Sequence, residues 1–276
     1  MSSSTGMTGF GWRSPSPGAI LPRSVSLALW LPRASARTGT TAQALRSVTQ
    51  DDEPHGVSGL MEGTLVGLIE AWHGRVLACV ALCPTPGDVS SVPHEVADVG
   101  ADAGEVVLVR LGGGVPVNVA LIPQVEQFGS HLEPGWHVRW EVREVSAWEL
   151  QVLGATGSLR DADQELRRAM GEVTEALLTL DIAKSSPQFA DIVDILRDPV
   201  DLTGFVPADV SPRSLRVLEL AARLRAVVDI ASHDDGGALT AAAATQRQQA
   251  LRSLDARARR AMEAATLLSP LVPSPL

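Results

Sequence analysis

Tyrosine is absent from this chain, Lys184 is its only lysine and Asn118 its only asparagine. The depleted residues have AT-rich codons, so the bias points to a GC-rich genome. Arginine supplies nearly all positive charge, and an arginine cluster here is correspondingly weak evidence for nucleic-acid or phosphate binding. Two cysteines, Cys79 and Cys83, are too few for a disulfide scaffold. No apolar run approaches the ~18–20 residues that span a bilayer. A formal net charge of −9 and a pI near 5.1 argue against a general nucleic-acid binder, whose footprint is basic. With 45% hydrophobic and 20% charged residues the body has a core to bury and reads as a cytoplasmic protein without a membrane span.

Acid is also missing where it would be expected. The first carboxylate is Asp51, after Arg13, Arg23, Arg33, Arg37 and Arg46, so the opening fifty residues carry +5 and the remainder −14. Three readings compete. One is a flexible arm, or translated sequence upstream of the true start. Another is a targeting leader, either an Arg- and Ser-rich transit peptide or a secretory signal with Val25–Leu31 as apolar core and Ala34-Ser35-Ala36 as cleavage site. The last is a basic arm for an anionic partner. Pro15, Pro17, Gly18 and Pro22 oppose regular structure, and residues 1–25 are expected to be a disordered basic arm, removable up to about Arg23 with little loss of stability.

What is present is a change of period near Gly157. Before it, Val138, Trp140 and Val142 alternate with Arg139, Glu141 and Arg143, as in a strand. After it, Leu159, Ala162, Leu166, Ala169, Val173, Ala176 and Leu180 recur at helical spacing. The expected class is α+β: a small antiparallel sheet of about four strands followed by a C-terminal helical bundle. Residues 26–157 form the mixed region, 158–267 a helical region packed on the sheet, and 268–276 a loose Pro-rich tail.

Local signals place the elements. Ser26–Leu31 and Thr41–Val48 read as short helices and Asp51–Gly59 as a loop. Met61, Leu65, Leu68 and Trp72 predict a helix ending at Gly74. Arg75–Cys83, Glu105–Leu111, Val115–Ile122 and His137–Val145 read as strands, with Gly112-Gly113-Gly114 as a hairpin turn. Ser158 with Asp161 begins a helix. Ser186-Pro187 and Ser211-Pro212 each put a cap before a first-turn proline. Gly236-Gly237 precedes a last helix over Thr240–Leu267, and the Ser158 helix is expected to fold back onto Trp140 and Val142.

Candidate chemistry is sparse. Cys79 and Cys83, near His73 and His94, suggest zinc, but strand positions four apart lie about 13 Å apart whereas ligands converge at ~2–2.3 Å. The expectation is buried free thiols, with no metal and no cofactor. The Gly112–Gly114 run feeds Val115-Pro116-Val117 and no helix, so it lacks the N-terminal amides of a phosphate loop. Asp51-Asp52-Glu53-Pro54-His55 and His233-Asp234-Asp235 pair carboxylates with a histidine, a composition suited to cation binding or acid–base work and equally to solvated loops. No Gly-x-Ser-x-Gly elbow is present. Arg247, Arg252, Arg257, Arg259 and Arg260 make the last helix basic, but it would exceed roughly twenty residues, longer than a usual recognition helix. His137, Arg139, Glu141 and Arg143, which share the face opposite Trp140, are the candidate ligand-binding set.

Arg75–Val89 (RVLACVALCPTPGDV) and His137–Val145 (HVRWEVREV), followed by the Ser158 helix, resemble segments of uncharacterised proteins from high-GC actinobacteria. The resemblance spans roughly residues 60–266 and implies no activity, cofactor or catalytic residue. Function therefore stays open. The leading reading is a non-enzymatic interaction or scaffolding protein with a protein partner or self-association through amphipathic helices. Its alternatives are an enzyme or small-molecule binder with a site between sheet and bundle, and nucleic-acid contact through the arginine-rich helix.

Overall fold

Residues 76–82, 106–111 and 117–123 form one half of the sheet, and they are near-continuous apolar runs because both faces are covered. A computed structural model describes residues 21–36, 39–130, 133–179, 195, 200–202, 204–233 and 241–267. Its strands are β1 (Gly56–Gly59), β2 (Gly63–Thr64), β3 (Val76–Leu82), β4 (Val106–Leu111), β5 (Val117–Gly129) and β6 (Pro134–Glu144). They lie in the order β2-β1-β6-β5-β4-β3, antiparallel throughout except for β1 beside β6. The sheet is thus six-stranded and mixed, where four antiparallel strands are expected. The added strand β1 is Gly-Val-Ser-Gly, too short to carry a period of two. Its extended state comes from pairing Val57 with Trp140 in β6.

One face of the sheet presents Cys79, Val107, Val109, Leu121 and Trp140 to the larger core. The other presents Val80, Leu82, Leu108 and Ile122 to a smaller one, closed by Val92, Val96, Trp148 and Val152. Two short helices flank that second face, α4 (Ala97–Ala103) and α5 (Glu149–Thr156). Gly104, with φ of 72°, terminates α4 in the left-handed conformation that glycine tolerates. Gly113 and Gly114, also at positive φ, turn β4 into β5 as a hairpin.

The larger core is filled by the helix least expected there. α1 runs Arg23–Ala36, and Val25, Leu27, Ala28, Leu29, Trp30 and Leu31 are all buried. A helix apolar on every side belongs inside a protein. It lies against β3 and β4, α2 (Thr41–Thr49) and the final helix. Pro32 deletes the backbone donor that would meet the Ala28 carbonyl, and Arg33 Nη1 donates to the neighbouring Leu29 carbonyl at 2.6 Å. Residues 21–25, assigned by composition to the arm, are buried, beginning with Leu21 at 1% exposure. Cleavage after Ala36, as the secretory reading has it, would remove α1.

Helix α3 (Leu65–Ala71) is capped by Thr64, whose Oγ1 accepts from Gly67 N at 3.2 Å. The Ser158 start stands: Asp161 N donates to Ser158 Oγ at 3.1 Å and opens α6 (Leu159–Thr179). So does Ser211, which accepts from Ser214 N at 3.0 Å before α7 (Pro212–His233). The last helix, α8, runs Ala241–Thr266. The expected helix from Pro187, the Gly236-Gly237 break, Leu180 and the tail from Ser269 lie outside the described residues.

Helix α6 packs chiefly on α7 and α8, a correction to the expectation that it folds directly onto Trp140 and Val142. On that side of the sheet α1 covers β3 and β4, and the Trp140 indole meets His55. Leu166, Ala169 and Val173 are nevertheless buried in the same core. Leu166→Ala is therefore expected to cost ~2–5 kcal/mol in urea unfolding. A loss under ~0.5 kcal/mol, the scale of surface changes, would show the stripe uncovered.

Candidate functional site

The acidic loop preceding β1 carries the most organised polar cluster. Gln50, at φ 47°, turns the chain sharply after α2 and sends residues 51–55 beneath α1 and β6. Arg23 Nε and Nη2 grip Asp52 through both carboxylate oxygens, at 2.6 and 2.7 Å. His55 Nε2 lies 3.1 Å from Asp52 Oδ2, and the Trp140 indole N–H donates to His55 Nδ1 at 3.0 Å. Burial pushes the Asp52 carboxyl up, but hydrogen bonds from His55 and Arg23 outweigh it and hold the group below its ordinary value. Burial keeps the His55 imidazole below its ordinary value against the pull of Asp52. The imidazole is 0% exposed and both ring nitrogens are engaged. A histidine in that state cannot reach a substrate proton. The cluster joins α1, the loop and the sheet.

A second carboxylate serves the helix itself. Glu105 Oε2 accepts from Ser24 N at 2.7 Å, satisfying a first-turn amide of α1 that has no intrahelical partner. Burial pushes its carboxyl up, against the Ser24 hydrogen bond and the nearby Arg23 and Arg225 charges.

The third cluster covers a sheet edge. Among the described residues β3 has no strand on its outer side, and α8 lies along it in place of one. Thr266 Oγ1 accepts from Ala81 N at 3.0 Å, Glu263 Oε1 accepts from Cys83 N at 2.8 Å, and Arg259 Nη1 donates to Cys83 O at 2.8 Å. Helical positions 259, 263 and 266 share one face, and alternate strand residues direct their backbone groups to one side. An edge that would otherwise invite pairing is thereby closed. Arg259 also meets Asp88 and Asp255, at 3.1 and 2.8 Å, beside a small polar cleft lined by Ser90, Ser91 and Arg260.

Burial pushes the Glu263 carboxyl up to about 7 against the Cys83 hydrogen bond and Arg259. The unfolded chain loses this proton near 4.5, the folded chain near 7. Between those values the folded state holds a proton that the unfolded state does not, so this group's stabilisation is full below pH 4.5 and lost as pH rises to about 7. Glu263→Gln keeps the acceptor for Cys83 and is expected to flatten that slope, raising stability near pH 8 by roughly 3 kcal/mol. Urea titrations of both proteins at several pH values check this, and an unchanged slope would contradict it.

The residues singled out from sequence are placed as follows. His137 and Arg139 are exposed and Glu141 and Arg143 half-buried on one face of β6, as the alternation requires. They do not converge on a pocket: Arg143 Nη2 pairs with Glu141 Oε1 at 2.7 Å, and His137 stacks on Phe128 with ring centres 4.2 Å apart. Cys79 and Cys83 are buried free thiols, both pushed up by burial. Among the described residues no group of three or more His, Cys, Asp and Glu side chains is set to hold a metal ion. Of the basic helix, Arg257 pairs with Glu172, Arg259 is buried, Arg260 faces Asp88, and Arg247 donates to the Ala231 carbonyl. Asp234 and Asp235 lie outside the described residues. No helix among the described residues is long and apolar enough to cross a membrane.

These features define an α+β protein whose organised polar clusters serve its own packing. Residues 24–155 match the N-terminal domain of the Rv1486c-like proteins and residues 160–263 match the C-terminal domain. The chain belongs to this Rv1486c-like family. No curated protein and no solved structure matches it.

Proposed function

We propose that the chain is a non-enzymatic interaction or scaffolding protein of the cytoplasm. One observation carries this reading: the best-built histidine–carboxylate cluster, Asp52 with His55, is enclosed with both imidazole nitrogens engaged by the fold itself. Reactive groups need an approach path, and this pair has none. What the molecule offers outward is the far end of the β5–β6 ribbon, where β5 outruns its last partner in β4 at Leu121. Gln124, Glu126, Phe128, His137 and Arg139 are exposed there, and this supports a contact surface that includes two of the four candidate residues on β6, His137 and Arg139. The buried free thiols fit a reducing compartment.

Thermal-shift screening across metals, nucleotides and common metabolites tests the reading. No reproducible stabilisation is expected. A dose-dependent rise in Tm with one small molecule would replace the scaffold by a ligand-binding protein, because a ligand that binds only the native state must raise Tm.

A further inference from the structure

Of the titratable groups in the core, His55 is the one whose protonation state the surrounding hydrogen bonds dictate. The Trp140 indole N–H can only donate, so His55 Nδ1, 3.0 Å away, must carry its lone pair. Nε2 then carries the proton and donates to Asp52 Oδ2. A second proton would have to sit on Nδ1, where it would face the Trp140 indole donor. The charged groups around the ring are few. Asp52 comes from the same loop, and Arg23 from α1 already takes both oxygens of that carboxylate. Glu105 faces Ser24 and Arg23, not the imidazole, while β6 presents the uncharged Trp140.

We propose that His55 is an acid-operated latch between the 51–55 loop and the sheet. One proton from solvent, taken up at Nδ1, breaks the bond to Trp140 and loosens the loop against β6, to which Glu53 N, donating to Trp136 O at 3.1 Å, still ties it. The bidentate Arg23–Asp52 pair survives, so loop and helix start move as a unit. Burial sets the opening point below the ordinary imidazole value. The sign follows from proton uptake: the imidazole charges more readily in any open state, so the latch is fully closed above that ordinary value and opens as pH falls through the folded-state titration point. Glu263 and Glu105 have carboxyls pushed the other way, which favours the folded state toward acid, and a mild-acid opening confined to this loop does not require global unfolding.

The test is NMR of the full chain between about pH 7.5 and 4.5, comparing wild type with His55→Gln. Glutamine retains a donor for Asp52 and cannot charge in this range. In wild type, hydrogen-exchange protection of the Trp140 indole should fall by up to about tenfold per pH unit between pH 6.5 and the lower His55 titration point and level off below it, with the Trp148 indole unaffected. In His55→Gln the Trp140 protection should be independent of pH. If the variant does not fold, the wild-type His55 ring titration decides, with a midpoint below 6.5 and a Trp140 shift that follows it. Titration at or above 6.5, a Trp140 indole indifferent to it, or the same acid opening in the variant would overturn the latch.

Discussion

A chain beginning at Gly39 loses its cooperative unfolding transition. Val25, Leu27, Leu29, Trp30 and Leu31 are each at most 3% exposed, and α1 fills the space between the sheet and α8. Burying side chains of this kind contributes ~1.5–3 kcal/mol each, and five of them reach the ~5–15 kcal/mol that stabilises a whole domain. Their removal also strips cover from Cys79, Val107 and Val109 on the sheet, and the exposed surface promotes association. A smaller lesion has the same direction: Leu29→Ala is expected to cost ~2–5 kcal/mol, the range for a buried leucine truncation. Circular dichroism during urea titration reads both. A sharp transition at the wild-type midpoint for the shortened chain would show that α1 is dispensable.

Asp52→Ala is the second large effect, expected near 3–5 kcal/mol, the range for breaking one partner out of a buried ion pair. The substitution removes the carboxylate shared by Arg23 and His55, whose side chains are 3% and 0% exposed. Glu105 lies close enough to Arg23 to moderate the loss, as its influence on that carboxyl shows. A double substitution, Arg23→Met with Asp52→Ala, should recover part of the stability, since a buried pair replaced by apolar groups costs less than a pair broken. If the single substitution costs under 1 kcal/mol in the same titration, the Arg23–Asp52 pair is not a structural bond of this fold.

Elements with a local chemical cause could be read from sequence. Ser158 with Asp161 and Ser211 with Pro212 satisfy helix N-termini through residues at most three positions away, and both helices begin where those signals fall. The β4–β5 hairpin is likewise announced by its glycines. β1 is not legible, because four residues bounded by glycine become a strand only through their neighbour β6. The end of the β5–β6 ribbon is hidden for a related reason: Gln124–Gly129 carries polar residues on both faces, and its partner strand fixes its shape. α5 escapes notice because Gly154 and Gly157 suggest a connection, although Val152 and Trp148 are fully buried anchors of the second core.

The two failures that matter most for function share one cause. Val25–Leu31 is visibly apolar, but Pro32, Arg33 and the lack of acid around it make the segment resemble a leader. Its true role depends on a groove formed by residues far along the chain. The Asp52–His55 pair is visible too, whereas Arg23 lies 29 residues from Asp52 and Trp140 lies 85 from His55. Only tertiary structure turns a loop that could suit a cation into an enclosed packing element.

Native-state hydrogen exchange across α1 and β4 tests most directly whether the N-terminal helix belongs to the core. The backbone amides of residues 27–31 should exchange with the same opening free energy and denaturant dependence as those of residues 107–109, because both open only on global unfolding. Exchange of the α1 amides through a low-energy local opening, with β4 still protected, would contradict a core built around α1.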